Sequence, residues 1–219
     1  MSINPVLAAA LAGIPIGIQR QGICAGRRQL LIRFAEPAET ATMFTSDSLA
    51  REVARGVARS PIHSVCISGR DALGNVEFLE AALRTLATQT PVMADTDGQR
   101  PEAIGALHPY LWLVQVTVDA PAADATVERA METVRASAHA GVPHAVVVSG
   151  SDEASDADYL RIVEQAHAAS PAVQIVIHPG PATERGVIDR RWSVLVEHAM
   201  EHHTDVRLAL RLSGPATVR

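Results

Sequence analysis

Cysteine is scarce in this chain, and its scarcity excludes two common architectures. Only Cys24 and Cys66 are present among 219 residues. Two thiols cannot build the disulfide framework of a small secreted domain, and they cannot supply the four sulfur ligands of a structural zinc site. We therefore expect a protein of the reducing cytoplasm.

Clustered positive charge and long apolar runs are also missing. The 19 basic residues are scattered and the net charge is −5, whereas nucleic-acid-binding domains concentrate basic residues on one face. The apolar stretch from Pro5 to Ile18 is short, begins without basic residues and is interrupted by Pro15, which argues against a signal peptide or a membrane span. We expect neither a nucleic acid nor a membrane as a partner.

Aromatic residues are the third class in short supply, at 3% of the chain. The core must therefore be built from valine, isoleucine, leucine and alanine, a composition that suits parallel strands covered on both faces. The length of 219 residues is ordinary for one large α/β domain. We expect a single domain over residues 1–219.

Short apolar runs alternate with amphipathic segments at a spacing of about 25 to 30 residues, the length of one βα unit. The runs predict strands at Gln29–Phe34, Ser64–Ile67, Pro91–Ala94, Leu113–Val118, Ala145–Val148, Val173–Ile177 and Arg207–Leu210. The amphipathic segments predict helices at Ser48–Ala58, Phe78–Ala87, Asp124–Ala140, Asp156–Ala169 and Trp192–His203. Either Asp47 or Ser48 is the expected N-cap of the first helix.

This repeat indicates an α/β fold with a parallel sheet and right-handed crossovers. The number of repeats and the chain length favour an incomplete TIM-like barrel of roughly six or seven parallel βα units over a complete eight-stranded barrel. A doubly wound open sheet is also compatible with the pattern.

The stretch from Ile18 to Ala35 reads IQRQGICAGRRQLLIRFA. It resembles the opening of the 7-carboxy-7-deazaguanine synthases, a branch of the radical S-adenosylmethionine (SAM) enzymes, which continues into the cluster motif C-x-x-x-C-x-x-C. A gapless alignment places the cysteine positions of that motif on Pro37, Ala41 and Phe44. These side chains cannot bind iron, which such clusters hold through thiolates. The resemblance implies a degenerate radical SAM-like partial barrel that lacks the iron–sulfur cluster.

The turn that cradles SAM in that family is altered as well. Residues 65–73 read VCISGRDAL, where the family has V-x-x-T-G-G-E-P-L. Arg70 replaces a glycine and brings a cation to the place of the SAM ammonium group, and Asp71 replaces a glutamate. The resemblance therefore implies that the chain uses no cofactor, neither the cluster nor SAM.

Other family motifs are retained. Residues 92–98 read VMADTDG and resemble the family's V-x-x-E-T-N-G, while residues 205–208 resemble its final D-V-R-V strand. The resemblance implies that Gln19 and Arg27 lie near a small anionic or purine-like ligand. The expected binding site is completed by Arg70, Asp71 and Thr96.

Position in the predicted barrel indicates candidate catalytic residues. Side chains at the carboxyl ends of parallel strands point towards the mouth of a barrel. Asp95, Asp97, Asp119 and His178 occupy such positions and could perform acid–base chemistry or bind a cation. The alternative is that each aspartate shapes a turn or caps a helix and that His178 is a buried, hydrogen-bonded group.

Candidate metal ligands are few. His198 and His202 lie four residues apart on one predicted helix, so their imidazoles could share a metal ion. Since no third ligand is evident, a solvated helix surface is favoured and we predict no metal site.

Two functions of different classes remain open. The first is a cluster-free pseudoenzyme subunit that forms a homodimer, or a heterodimer with an intact radical SAM relative. The second is a non-radical enzyme that acts on a small anionic or purine-like substrate at the barrel mouth. A small-molecule sensor is a third possibility. The subunit hypothesis is favoured because scaffold motifs remain while the cluster and cofactor contacts are gone.

Overall fold

The computed structural model describes residues 7–69, 71–86, 90–180 and 190–212. In these ranges the strands are β1 (Ala8–Gly13), β2 (Ile16–Ile18), β3 (Arg28–Phe34), β4 (Thr42–Thr45), β5 (Ser64–Gly69), β6 (Val92–Thr96), β7 (Leu113–Ala120), β8 (His144–Gly150), β9 (Gln174–His178) and β10 (Val206–Leu208). The α-helices are α1 (Ser46–Arg59), α2 (Val76–Thr85), α3 (Pro101–Leu107), α4 (Asp124–His139), α5 (Asp156–Ala169) and α6 (Arg190–His202).

All the strands belong to one sheet, in the order β10-β9-β8-β7-β6-β5-β3-β1-β4, with β2 paired to β3. The strands from β10 to β3 are parallel, whereas β1 runs antiparallel to both β3 and β4. In the described part of the chain β4 and β10 are the two edges, so the sheet does not close. The fold is α/β, with an incomplete barrel of seven parallel strands, as predicted.

The helices pack against one face of the sheet. Alternate residues of the strands, such as Ile32, Ile67 and Val116, join the apolar side chains of α1 to α6 in the main core. The strand residues between them, including Cys66 and Met93, form a separate small cluster on the opposite face. A doubly wound sheet would carry helices on both faces, so the partial barrel is the correct alternative.

Each predicted strand and helix is present, with ends that shift by a few residues. Helix α5 has the predicted bounds, and a reciprocal capping box between Ser155 and Asp158 fixes its start. The predicted N-cap of α1 is wrong: the cap is Thr45, whose hydroxyl accepts a hydrogen bond from the Ser48 backbone N–H. The pattern also missed β1, β2, β4 and α3, which are short.

None of the helices in the described ranges is both long enough and apolar enough to cross a membrane.

Candidate functional site

The inner face of the partial barrel is covered by the chain itself. Strands β2 and β3 form a hairpin, and residues 19–27 between them fold onto the inner face. We call these residues the plug. Backbone hydrogen bonds from Gln19 N–H to Arg27 O and from Gly26 N–H to Gln19 O, both 2.9 Å long, close its base. The plug is therefore a defined loop with its own internal hydrogen bonds.

Two backbone groups at the tip of the plug donate to buried side chains of the sheet. The Gly22 N–H donates to Nε2 of His178 at 2.9 Å, and the Ile23 N–H donates to Oε1 of Gln115 at 3.1 Å. Gly22 has a φ of +75°, and a Cβ built on it would lie 1.9 Å from Oε1 of Gln115. Only glycine therefore fits at this point of contact.

Asp95 lies beside the plug on β6 and accepts three hydrogen bonds. Nε2 of Gln19 donates to its Oδ2 at 3.0 Å, while Nε2 of Gln115 and Oγ1 of Thr117 donate to its Oδ1 at 3.0 and 3.3 Å. Burial raises the pKa of Asp95 above its ordinary value, and the three donors partly oppose that shift. The carboxylate is thus held by the protein's own amides and hydroxyl.

His178, at the end of β9, is fully buried and neutral. Its Nδ1 lies 2.6 Å from the carbonyl oxygen of Ala209, which can only accept, so Nδ1 carries the hydrogen. Its Nε2 accepts from the Gly22 N–H and is therefore unprotonated. The plug thus occupies the nitrogen that would act as a base.

The other two predicted catalytic carboxylates, Asp97 and Asp119, are exposed. Oδ1 of Asp97 accepts from the backbone N–H of Gln99 at 3.0 Å, which is the local bond of an aspartate turn. The hydroxyl of Thr96 accepts from the Gly98 N–H at 3.1 Å within the same turn. The hydrogen bonds of Asp97 and Thr96 are thus local, whereas Asp95 and His178 are both joined to the plug.

The predicted ligand-binding residues also divide into one that is buried at the plug and others that lie at the surface. Gln19 is buried against Asp95, whereas Arg27 is exposed at the base of the plug. Asp71 has a φ of +46° and accepts two hydrogen bonds of 2.7 Å from the guanidinium of Arg100. Arg70 lies outside the described residues. The two hydrogen bonds from Arg100 account for the position of Asp71 in a surface turn.

The positions aligned with the cluster cysteines lie in and after the loop between β3 and β4. Pro37 and Ala41 are exposed in that loop, and Phe44 lies on β4 and packs against the main core. The two cysteines, Cys24 and Cys66, are buried together with apolar side chains on the inner face. Burial raises the pKa of both thiols, so they are neutral at physiological pH. These residues do not fit an iron–sulfur cluster, which needs three thiolates on one loop.

Histidine does not supply a metal centre among the described residues. Nε2 of His202 lies 3.3 Å from Oε1 of Glu164, an ion-pair distance at the surface. The described part of the chain contains no group of three histidine, cysteine, aspartate or glutamate side chains placed to hold a metal ion. His198 and His202 therefore have no third ligand there.

A cavity of about 350 Å³ remains at the barrel mouth, beside the plug. It is lined by Ile18, Gln19, Arg20, Gln21, Leu31, Asp95 and Arg211. Arg20 lies in the IQRQG opening and is one of the arginines that the sequence offers as an anion contact, whereas Gln115 and Arg211 were not predicted as site residues. A glutamine within an apolar strand is a weak signal that could have indicated Gln115.

Comparisons with known proteins give no family. The chain matches no protein-family profile and no curated protein. Among solved structures it is similar to a mandelate racemase/muconate lactonizing enzyme from Roseiflexus sp. (14% identity, TM-score 0.47), covering 92% of this chain and 50% of that one. It is also similar to a truncated 3-deoxy-D-arabino-heptulosonate 7-phosphate synthase from Thermotoga maritima (12%, 0.41), with 75% and 58% covered.

A third similar structure is the 3-dehydroquinate dehydratase from Enterococcus faecalis (12% identity, TM-score 0.44), with 92% of this chain and 82% of that one covered. The chain therefore spans only 50% and 58% of the first two proteins. At these TM-scores the structural similarities do not indicate an activity for this chain. The fold class follows from the strand order and the helix-covered face described above.

Proposed function

We propose that the chain is a cluster-free, radical SAM-like pseudoenzyme subunit that pairs with an intact radical SAM relative. The observation that carries the proposal is the plug, which occupies the inner face where a barrel enzyme would hold its reactants. Its tip contacts His178 through Gly22 and Gln115 through Ile23. A substrate at this place would have to displace these bonds.

The states of the candidate catalytic groups support a non-catalytic role for the inner face. A general base needs a lone pair within reach of the substrate. The Nε2 lone pair of His178 is taken by Gly22, and the oxygens of Asp95 receive three donors from Gln19, Gln115 and Thr117. Both residues act as structural acceptors that fasten the plug to the sheet.

The edge strand β4 is the surface we assign to the partner. It pairs with β1 on one side, and Met43 at its centre is 66% exposed. An open strand edge offers unpaired backbone groups to another chain, and an exposed methionine adds apolar area. A partner strand beside β4 would satisfy both features.

The first test asks whether the chain can hold the radical cofactors. Purified protein is loaded anaerobically with iron and sulfide, its iron content is measured, and SAM is titrated by calorimetry. We expect no stoichiometric iron and no heat of SAM binding. A C24A/C66A variant controls for adventitious iron. A stoichiometric cluster that this variant loses would overturn the proposal.

The second test addresses the partner. The tagged chain is co-expressed with a radical SAM protein from the same genome, and recovery of the complex is followed by light scattering. Met43→Glu should abolish the complex, whereas Met200→Glu should not, because Met200 is 50% exposed but lies on helix α6. Equal recovery of both variants, or a mass equal to one chain in every case, contradicts the proposed surface.

A second candidate function is supported by the cavity at the mouth. Arg20 and Arg211 line it together with Asp95, and guanidinium groups suit carboxylate or phosphate. A small anionic or purine-like ligand, bound or turned over without radical chemistry, would use this cavity. Melting curves with malonate, inorganic phosphate and guanine test this function. A rise in Tm that Arg20→Gln removes supports it, and unchanged curves exclude these three ligands.

A further inference from the structure

Another cavity among the described residues lies at the end of the barrel opposite to the mouth. It has a volume of about 500 Å³ and opens between the amino-terminal ends of β7, β8 and β9. Its apolar wall includes Trp112, Leu113 and Val142, together with Ile23 from the plug. Two polar residues in the same wall, His144 and Ser170, are hydrogen-bonded to each other.

The pair has the geometry of a nucleophile and its base. Oγ of Ser170 lies 2.8 Å from Nε2 of His144, and Nδ1 of His144 lies 2.8 Å from the carbonyl oxygen of Val142. Because a carbonyl only accepts, Nδ1 carries the hydrogen and Nε2 of the neutral ring is an acceptor. A third group therefore fixes the tautomer that a general base requires.

The direction of the serine hydroxyl is also determined. The backbone N–H of Ala172 donates to Oγ of Ser170 at 3.3 Å, so this oxygen is already an acceptor. Its own hydrogen is then free to be donated to Nε2 of His144. Ser170 is 4% exposed and His144 8% exposed, and this remaining surface faces the cavity that both residues line. A reacting group could reach the oxygen from that side.

We propose that Ser170 and His144 form an ester-hydrolysing site for small esters with an apolar acyl group. The apolar wall formed by Trp112, Leu113 and Val142 suits such a chain, and the volume limits its length. This activity goes beyond the subunit function and does not depend on it, because it uses a different end of the barrel.

The proposed reaction requires only the ester, the Ser170–His144 pair and water, and its bonds and protons balance. Oγ of Ser170 forms a bond to the ester carbonyl carbon while its proton passes to Nε2 of His144. The bond from that carbon to the alcohol oxygen breaks, and His144 returns the proton to the departing alcohol. Water then adds to the acyl-serine through the same base, which releases the carboxylic acid and restores the hydroxyl of Ser170.

A covalent probe tests the proposal on the wild-type protein, without reliance on any variant. An alkyl fluorophosphonate is incubated with the chain, and the modified peptide is identified by mass spectrometry. We expect one equivalent of label on Ser170. Label at another residue, or none after prolonged incubation, would overturn the proposal.

The rate of p-nitrophenyl acetate hydrolysis provides a second, kinetic test. Ser170→Ala and His144→Gln should each lower the rate by about a hundredfold or more, the usual contribution of general acid–base catalysis. The matched control is Ser137→Ala, which removes a fully buried hydroxyl that donates only to the Thr133 carbonyl, and it should retain the rate. A rate unchanged in Ser170→Ala refutes the proposal.

Discussion

Replacing Gly22 with alanine should detach the plug from the inner face of the barrel. Gly22 lies in the left-handed region with a φ of +75°, and an added Cβ would lie 1.9 Å from Oε1 of Gln115. The amide of Gln115 is buried and would have to move. Its bond from Ile23 and its bond to Asp95 would then be lost. Gly26 is the matched control, since its φ is +82° and nothing lies within 4 Å of an added Cβ.

The expected loss in free energy of unfolding follows from the different surroundings of the two glycines. Both variants carry the strain of a left-handed alanine, about 1–2 kcal/mol. Gly22→Ala alone also leaves buried polar groups unsatisfied, which costs about 1–3 kcal/mol for each such group. We therefore expect Gly26→Ala to lower the free energy of unfolding by about 1–2 kcal/mol, and Gly22→Ala, with one unsatisfied group added, to lower it by about 2–5 kcal/mol.

Urea unfolding followed by circular dichroism measures both losses. Amide hydrogen exchange adds a local readout, because detachment of the plug should expose the N–H groups of Gly22 and Ile23 while the strands stay protected. Equal losses of stability in the two variants, with Ile23 still protected in Gly22→Ala, would refute the docking of the plug on Gln115.

Two further predictions concern buried titratable groups. Burial raises the pKa of Asp95 above its ordinary 3.8, so its contribution to stability is complete below about pH 4 and is lost as the pH rises through the folded pKa. The free energy of unfolding of the wild type relative to Asp95→Asn should therefore decrease with increasing pH in urea titrations, and a rising difference would contradict this sign. His203 is 4% exposed and its Nε2 lies 2.6 Å from the Val173 carbonyl, so His203→Ala should cost about 2–4 kcal/mol in the same assay. His202→Ala, which removes only a surface contact to Glu164, should cost within about 0.5 kcal/mol, and similar losses in the two variants would show that His203 is not held as described.

Local pattern accounts for the fold class and for most element positions. Short apolar runs at βα spacing favour buried parallel strands, and the segments between them have the one apolar side of a helix. The start of α5 follows from Ser155 and Asp158, whose capping bonds join residues three apart. Strand β4 was missed because its four residues, Thr42–Thr45, have no alternation and depend on pairing with β1.

The sequence by itself also placed Asp95 and His178 in one region, since strand ends meet at one edge of a parallel sheet, and the family resemblance added Gln19. Only the tertiary structure decided what they do. Gly22 and His178 are 156 positions apart, and Ile23 and Gln115 are 92 apart, so strand register and the path of the hairpin brought them into contact. A buried polar group forms its hydrogen bond with whichever residue the fold places beside it. When that residue is distant in sequence, no local pattern identifies it. The plug could therefore be found only in three dimensions.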